Sequence, residues 1–275
     1  MKLIYNNLEV VDWVNKNKDL TIGFVATMGA LHKGHLSLIN EAKTKADLVV
    51  VSIFVNPMQF GDKNDFLNYP LTLKEDLSCL ELLEVDMVFI PSSAEDFYKD
   101  EQYKAIVFDS IETVMEGNHR VGHFEGVARV IKLFLDLIQP HYAFFGEKDY
   151  QQLLIIKKLT QTLGVKTKIV ACKTIREKDG LAMSSRNSRL SNADRILASN
   201  IYKILGFCKQ KASNGEFSDL ENKCFQELSK FSNPEYFEIR NANDLTRQGD
   251  EFTKWRAFTA TKLGDIRLID NIALN

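Results

Sequence analysis

The chain has 275 residues, with 35 lysines and arginines against 37 acids, a formal net charge of -2, 45% hydrophobic and 26% charged residues. That length allows two domains with separate cores. The near-neutral balance, mixed along the chain, excludes a dedicated nucleic-acid binder, which carries a basic excess or a basic block. Cys79, Cys172, Cys208 and Cys224 lie far apart with no C-x-x-C pair, so free thiols in a reducing compartment are expected. The first ten residues show no apolar leader pattern, and no run of about 18 apolar residues occurs. The expectation is a cytoplasmic protein with no signal peptide and no membrane span.

In chain order, residues 21–27 read as a buried strand, followed by a helical stripe of Leu36, Ile39, Ala42 and Ala46. Residues 48–55 form a nearly unbroken β-branched and apolar strand. A polar loop at 62–68 comes next, expected to close over a ligand, and then a helix marked by Leu73, Leu77, Leu80 and Leu83. Residues 85–90, 142–145 and 166–170 read as three further strands, with a helix carrying Leu153, Ile156 and Leu159 between the last two. Continuous apolar strands alternating with helices predict a doubly wound, Rossmann-like α/β fold with a parallel sheet covered on both faces. Ligands bind at the carboxyl ends of such strands, so the chemistry is expected just after Thr27, Val55 and Phe145. From about Thr174 the texture changes. A turn at 177–180, a helix over 191–205 with Ile196, Ile201 and Leu205 on one stripe, and short strands at 236–240 and 266–270 predict a smaller C-terminal α+β domain. The expected boundary separates residues 1–174 from a lid domain at 175–275.

Four segments carry chemistry. Thr27-Met28-Gly29-Ala30-Leu31-His32-Lys33-Gly34-His35 ends a strand, turns at glycine and starts a helix near Gly34. Two histidines three residues apart there share a face, and free backbone N–H groups and the helix dipole point at the same place. This suits a nucleotide phosphate; the alternative, a zinc pair, lacks a third ligand at ligand spacing. Met183-Ser184-Ser185-Arg186 offers two hydroxyls and a guanidinium to phosphate oxygens, or else simply caps a helix. Phe145-Gly146-Glu147-Lys148-Asp149-Tyr150-Gln151-Gln152 follows a strand; Lys148 reaches for a triphosphate, Asp149 accepts from a ribose or orients the lysine, and Gln152 lies one turn further on. The alternative is an ordinary charged helix start. Asn56-Pro57-Met58-Gln59 supplies neutral amides that read hydroxyls and carboxylates, unless it is plain turn chemistry.

In register over nearly the whole chain, these motifs resemble the bacterial pantothenate synthetase family, as do Gly122-His123-Phe124-Glu125-Gly126-Val127 and Arg267-Leu268-Ile269-Asp270-Asn271. The resemblance implies an ATP-dependent, AMP-forming ligase of the H-x-G-H nucleotidyltransferase superfamily that joins pantoate to β-alanine through a pantoyl adenylate, with Mg²⁺, as a homodimer. It implies that Met28, Gly29, Ala30, Leu31, His32, Lys33, Gly34 and His35 hold ATP, together with Gly146, Glu147, Lys148, Asp149, Ile175, Met183, Ser184, Ser185 and Arg186. His35, His32, Lys148 and Arg186 carry the catalytic roles, and Gln59 and Gln152 bind pantoate. The sequence names no metal ligands and no base for the amine. The chain departs from the family pattern at Ala26, Leu71, Val121, Leu133 and Arg189. The rival readings are another H-x-G-H nucleotidyltransferase and a catalytically silent nucleotide-binding module.

Overall fold

The structure, a computed structural model, describes residues 1–101, 103–212 and 217–275. Its elements are β1 (Lys2–Ile4), α1 (Asn7–Lys16), β2 (Ile22–Thr27), α2 (Lys33–Lys43), β3 (Leu48–Ile53), α3 (Lys63–Leu67), α4 (Leu73–Leu82), β4 (Met87–Phe89), α5 (Ala94–Tyr98), α6 (Glu116–His119), α7 (His123–Ile138), β5 (Tyr142–Gly146), α8 (Tyr150–Leu163), β6 (Lys168–Cys172), α9 (Asn192–Lys211), α10 (Ser218–Ser229), β7 (Asn233–Asn241), β8 (Trp255–Leu263) and β9 (Ile266–Ala273). They fall into two compact units. The first comprises Met1–Phe108, Arg120–Glu147 and Ile155–Lys173; the second comprises Asp109–His119, Lys148–Leu154 and Thr174–Asn275. The second unit thus includes two stretches that lie before the boundary expected near Ile175.

The first unit is built on a six-stranded sheet in the order β1-β4-β3-β2-β5-β6, parallel throughout. Both faces are covered, which is why its strands read as continuous apolar runs. Neighbouring residues of β2 serve opposite faces. Val25 packs with Val51, Val88, Phe144, Ile39 and Leu80. Phe24 faces Phe134 at 5.3 Å, within an aromatic cluster that includes Phe97 and Phe89. From β2 the chain runs outward through β3 to β4, then returns to place β5 on the other side of β2. That reversal is a topological switch point, the position where such sheets leave a crevice for ligands.

One expectation changes here. The segment 62–68 is not a loop: α3 is a short helix capped by Asp62, which accepts the Asn64 N–H, and Phe66 is packed edge-on to Phe60 at 5.3 Å. The three-residue edge strand β1, too short to show a pattern, joins the sheet through β4.

The second unit contains the antiparallel sheet β7-β8-β9 with α9 and α10 packed against it around Leu205, Cys208, Cys224, Leu228, Phe237, Ala257 and Leu268. Ile196 does not belong to this face; it is 73% exposed. Five residues at about 100° each carry it well off the stripe that Ile201 begins. All four cysteines are free thiols.

Candidate active site

At the end of β2 the chain must turn sharply into α2. Gly29 has φ +77°, and a Cβ there would lie 3.1 Å from the Asp76 carboxylate and 3.3 Å from Ile53. Ala30 is also left-handed, at φ +48°, which costs an L-residue about 1–2 kcal/mol. The compensation comes from Asp76 in the first turn of α4. Its buried carboxylate accepts the Ala30 N–H at 2.9 Å and the Leu31 N–H at 2.8 Å, and Thr72 donates to it as well. Hydrogen bonds to a charged group contribute about 1.5–3 kcal/mol each, so the carboxylate outweighs the strain. Upstream, the Thr27 hydroxyl donates to the Ser52 carbonyl and accepts the Gly29 N–H.

α2 is capped by its own histidines. The Gly34 N–H donates to His32 Nδ1 at 3.1 Å, the His32 N–H reaches His35 Nδ1 at 3.4 Å, and the rings stack with centroids 4.1 Å apart. A neutral imidazole whose Nδ1 accepts a backbone N–H carries its proton on Nε2. Each ring therefore has a donor on the edge away from the backbone. This corrects the expectation that free backbone amides face the ligand. The N–H groups of Ala30, Leu31, His32 and Gly34 are engaged by Asp76 and by the imidazoles. Met28 is half-buried and Lys33 exposed.

The same unit contains Gln59, in the 3₁₀ turn Pro57–Gln59 that follows β3. Its carbonyl accepts from His123 Nδ1 at 2.7 Å and from Arg120 at 3.3 Å, and Arg120 also meets His123 Nε2. Its side-chain Nε2 lies 2.9 Å from the Met28 sulfur. Asn56, for which the sequence left both a ligand-reading amide and plain turn chemistry open, is 1% exposed and accepts the Met58 N–H within the turn. Gly146 and Glu147 close β5 beside β2, on the other side of the switch point. The departures at Leu71 and Val121 are 80% and 86% exposed.

The second unit gathers the remaining residues by another route. β9 ends its core-facing run with Asp270 and Asn271, both buried. The Asn271 side chain donates to the Lys148 carbonyl at 2.8 Å. Asp270 takes a bidentate pair from Arg176 at 2.6 and 2.9 Å, and that guanidinium stacks 3.9 Å over Tyr202. Burial pushes the Asp270 carboxyl upward against the pull of Arg176. Arg176 belongs to a small hairpin, bridged Arg176 to Ala182 and closed by Met183 N–H to Ile175 O at 3.0 Å. Gly180 turns it at φ +94°, where a Cβ would fall 2.4 Å from Tyr202. Ser184 then caps the 3₁₀ segment Ser185–Arg189 by accepting the Arg186 N–H. Lys148 and the hairpin that includes Ile175 and Met183 are thus tied to one strand end, and Ser184, Ser185 and Arg186 follow the hairpin directly in the chain. Lys148 lies 3.4 Å from Asp149. Gln152 is half-buried on α8, while its neighbour Gln151 is buried and anchors the Glu116 N–H and the carbonyls of Ile111 and Val114.

Asp76 escaped the sequence reading because an acid in a helix's first turn looks like a dipole partner. Asp270 and Asn271 entered it only through the family-like tail.

A parallel sheet with a switch point between β2 and β5, flanked by an imidazole-capped helix, defines a doubly wound α/β protein of the Rossmann-like class. A family model described as pantoate–β-alanine ligase matches residues 2–273, and the chain belongs to that family. It is 44% identical over 261 residues to the pantothenate synthetase of Flavobacterium psychrophilum, covering 92% of each chain. It is 41% identical to that of Vesicomyosocius okutanii, covering 99% of this chain and 97% of the relative. Among solved structures, pantothenate synthetase from Thermus thermophilus superposes with a TM-score of 0.92 at 34% identity, over 100% of this chain and 99% of the other. Pantoate–β-alanine ligase from Francisella tularensis, complexed with β,γ-ATP and β-alanine, gives 0.83 at 37% identity, over 100% and 98%.

Proposed function

We propose that the chain condenses pantoate with β-alanine at the expense of ATP, releasing AMP and pyrophosphate. Membership of the ligase family supports the reaction. The observation that carries the site is the stacked His32–His35 pair at the switch point, with each Nδ1 held by backbone. This support leaves the rival nucleotidyltransferase without an observation of its own.

A carboxylate does not condense with an amine at neutral pH, so it is activated first. The pantoate carboxylate attacks the α-phosphorus of ATP, forming pantoyl adenylate and expelling pyrophosphate. The protein forms no covalent bond; it positions the reactants and stabilises the charge that develops. The Nε2–H donors of His32 and His35 are assigned to phosphate oxygens, with His35 the acid. A preorganised donor of this kind contributes about 3–4 kcal/mol to the transition state. Lys148 and Arg186 are assigned to the triphosphate as fixed charges. Met28 to Gly34, Gly146, Glu147, Asp149, Ile175, Met183, Ser184 and Ser185 complete the ATP assignment. Gln59 and Gln152 are assigned to pantoate. The β-alanine amine then attacks the acyl carbon and AMP leaves.

Among the described residues no group of three His, Cys, Asp or Glu side chains is placed to hold a metal ion. Mg²⁺ is therefore read as a companion of the triphosphate, which supplies its own oxygens, and no step depends on a protein cage. Among the described residues no helix is long and apolar enough to cross a membrane. A homodimer in the cytoplasm completes the proposal on family likeness; a single-subunit mass by light scattering would remove the dimer. The deciding assay measures ATP-dependent AMP release with each substrate omitted in turn. AMP that requires both pantoate and β-alanine supports the reaction; pyrophosphate released with the nucleotide retained in a product rejects it.

A further inference from the structure

We infer that Tyr98 is a positioning residue for pantoate: its O–H helps hold Asn56, whose carboxamide fixes which end of the Gln59 carboxamide is offered to the substrate. The inference rests on the assignment of Gln59 to pantoate.

Hydrogen-bond polarity links the three side chains. Asn56 is buried, and its carboxamide is surrounded by groups of fixed polarity. Its Oδ1 accepts the Met58 backbone N–H at 3.1 Å, and its Nδ2 donates to the Gly126 carbonyl at 3.1 Å. An N–H only donates and a C=O only accepts, so the amide has one permitted orientation. Tyr98, at the end of α5, adds its phenol O–H to Oδ1 at 3.0 Å. The second Nδ2 proton goes to Gln59 Oε1 at 3.2 Å. Gln59 must therefore turn its oxygen toward Asn56 and keep Nε2 as the outward donor, which meets the Met28 sulfur at 2.9 Å. A thioether is a weak acceptor, so a carboxylate or hydroxyl oxygen of the substrate is the better match.

The relay is held firmly at both ends. Tyr98 is buried, with the Arg129 guanidinium 4.9 Å above its ring and Phe97 at 5.1 Å. Burial, reinforced by Glu101, pushes the phenol upward, so it remains a donor. At the other end α7 approaches the Pro57–Gln59 turn so closely that a Cβ on Gly126 would lie 2.3 Å from the Met58 carbonyl oxygen.

The test is Tyr98→Phe, which keeps the ring and removes only the hydroxyl. KM for pantoate should rise about five- to tenfold, the size of one neutral hydrogen bond, with kcat and KM for ATP within about twofold. In a Gln59→Ala background the same substitution should add less than about twofold, because the two act as one unit. An unchanged pantoate KM in Tyr98→Phe, or an undiminished effect in the Gln59→Ala background, overturns the inference. If Gln59→Ala itself leaves pantoate KM unchanged, the assignment of Gln59 fails instead. Should Tyr98→Phe not accumulate folded protein, Asn56→Ser, which retains an oxygen but loses Nδ2, is measured in its place: a raised pantoate KM supports the relay, and an unchanged one overturns it.

Discussion

The turn after β2 and the hairpin of the second unit both present residues assigned to ATP, yet they are held by different forces. The β2 turn is anchored by the parallel sheet, a left-handed glycine and one buried carboxylate that accepts backbone N–H groups. Its neighbours are apolar. The hairpin is held by side-chain ion pairs: Arg176 with Asp270, and Arg195 with Glu177 and Asp179. The exposed ion pairs of the second arrangement are screened by salt in proportion to their solvent contact.

The largest expected effect breaks the first side. His35→Ala should slow pantoyl-adenylate formation at least about a hundredfold in single-turnover kinetics while ATP binding weakens less. Unchanged adenylation would defeat its assignment. Next, Arg176→Ala should cost about 3 kcal/mol in denaturant unfolding, because it leaves the buried Asp270 without its counter-ion. Burial already raises that carboxyl, so the native state of the variant binds the proton more tightly than the unfolded chain. Stability in the variant should therefore fall as pH rises, making the loss smaller at about pH 5 than at about pH 8. Asp76→Ala should cost about 2–3 kcal/mol, the penalty for leaving the Ala30 and Leu31 N–H groups without acceptors, and should also lower kcat. A variant that loses stability but retains kcat would show that the carboxylate supports the fold without setting the imidazoles. The smallest effect tests the exposed pairs. The hydrogen bond from Arg195 holds the Asp179 carboxyl below its ordinary 3.8. Its contribution is present above that pH and lost as the pH falls through the lowered value. Arg195→Gln should therefore reduce stability by less than about 1 kcal/mol at neutral pH, and by nothing in acid.

The same contrast governs what could be read from the sequence. Parallel strands buried on both faces leave continuous apolar runs, so β2, β3, β4 and β5 were legible, as were the loops that follow them. β8 was not, although it is the central strand of its sheet. Arg256, Thr259 and Thr261 are buried within it and interrupt its pattern, because their partners lie on other elements; Arg256 stacks 4.0 Å from Tyr150. Arg176 and Asp270 lie 94 residues apart, and nothing local marks them as a pair. The H-x-G-H segment showed where the imidazoles stand but not that their Nδ1 atoms close the helix start, since capping by histidine has no distinctive composition.

Residues 109–119 and 148–154 fold with the C-terminal part of the chain, and this has a consequence for how such a protein changes over time. Glu116 receives Arg267 and Tyr236, and Met115 and Leu154 complete the cluster around Phe258 and Leu245. A fragment cut at the 173/174 junction would leave Arg267 without that carboxylate and open one side of this cluster to water. A single crossover at that junction therefore separates residues that pack together in the second unit.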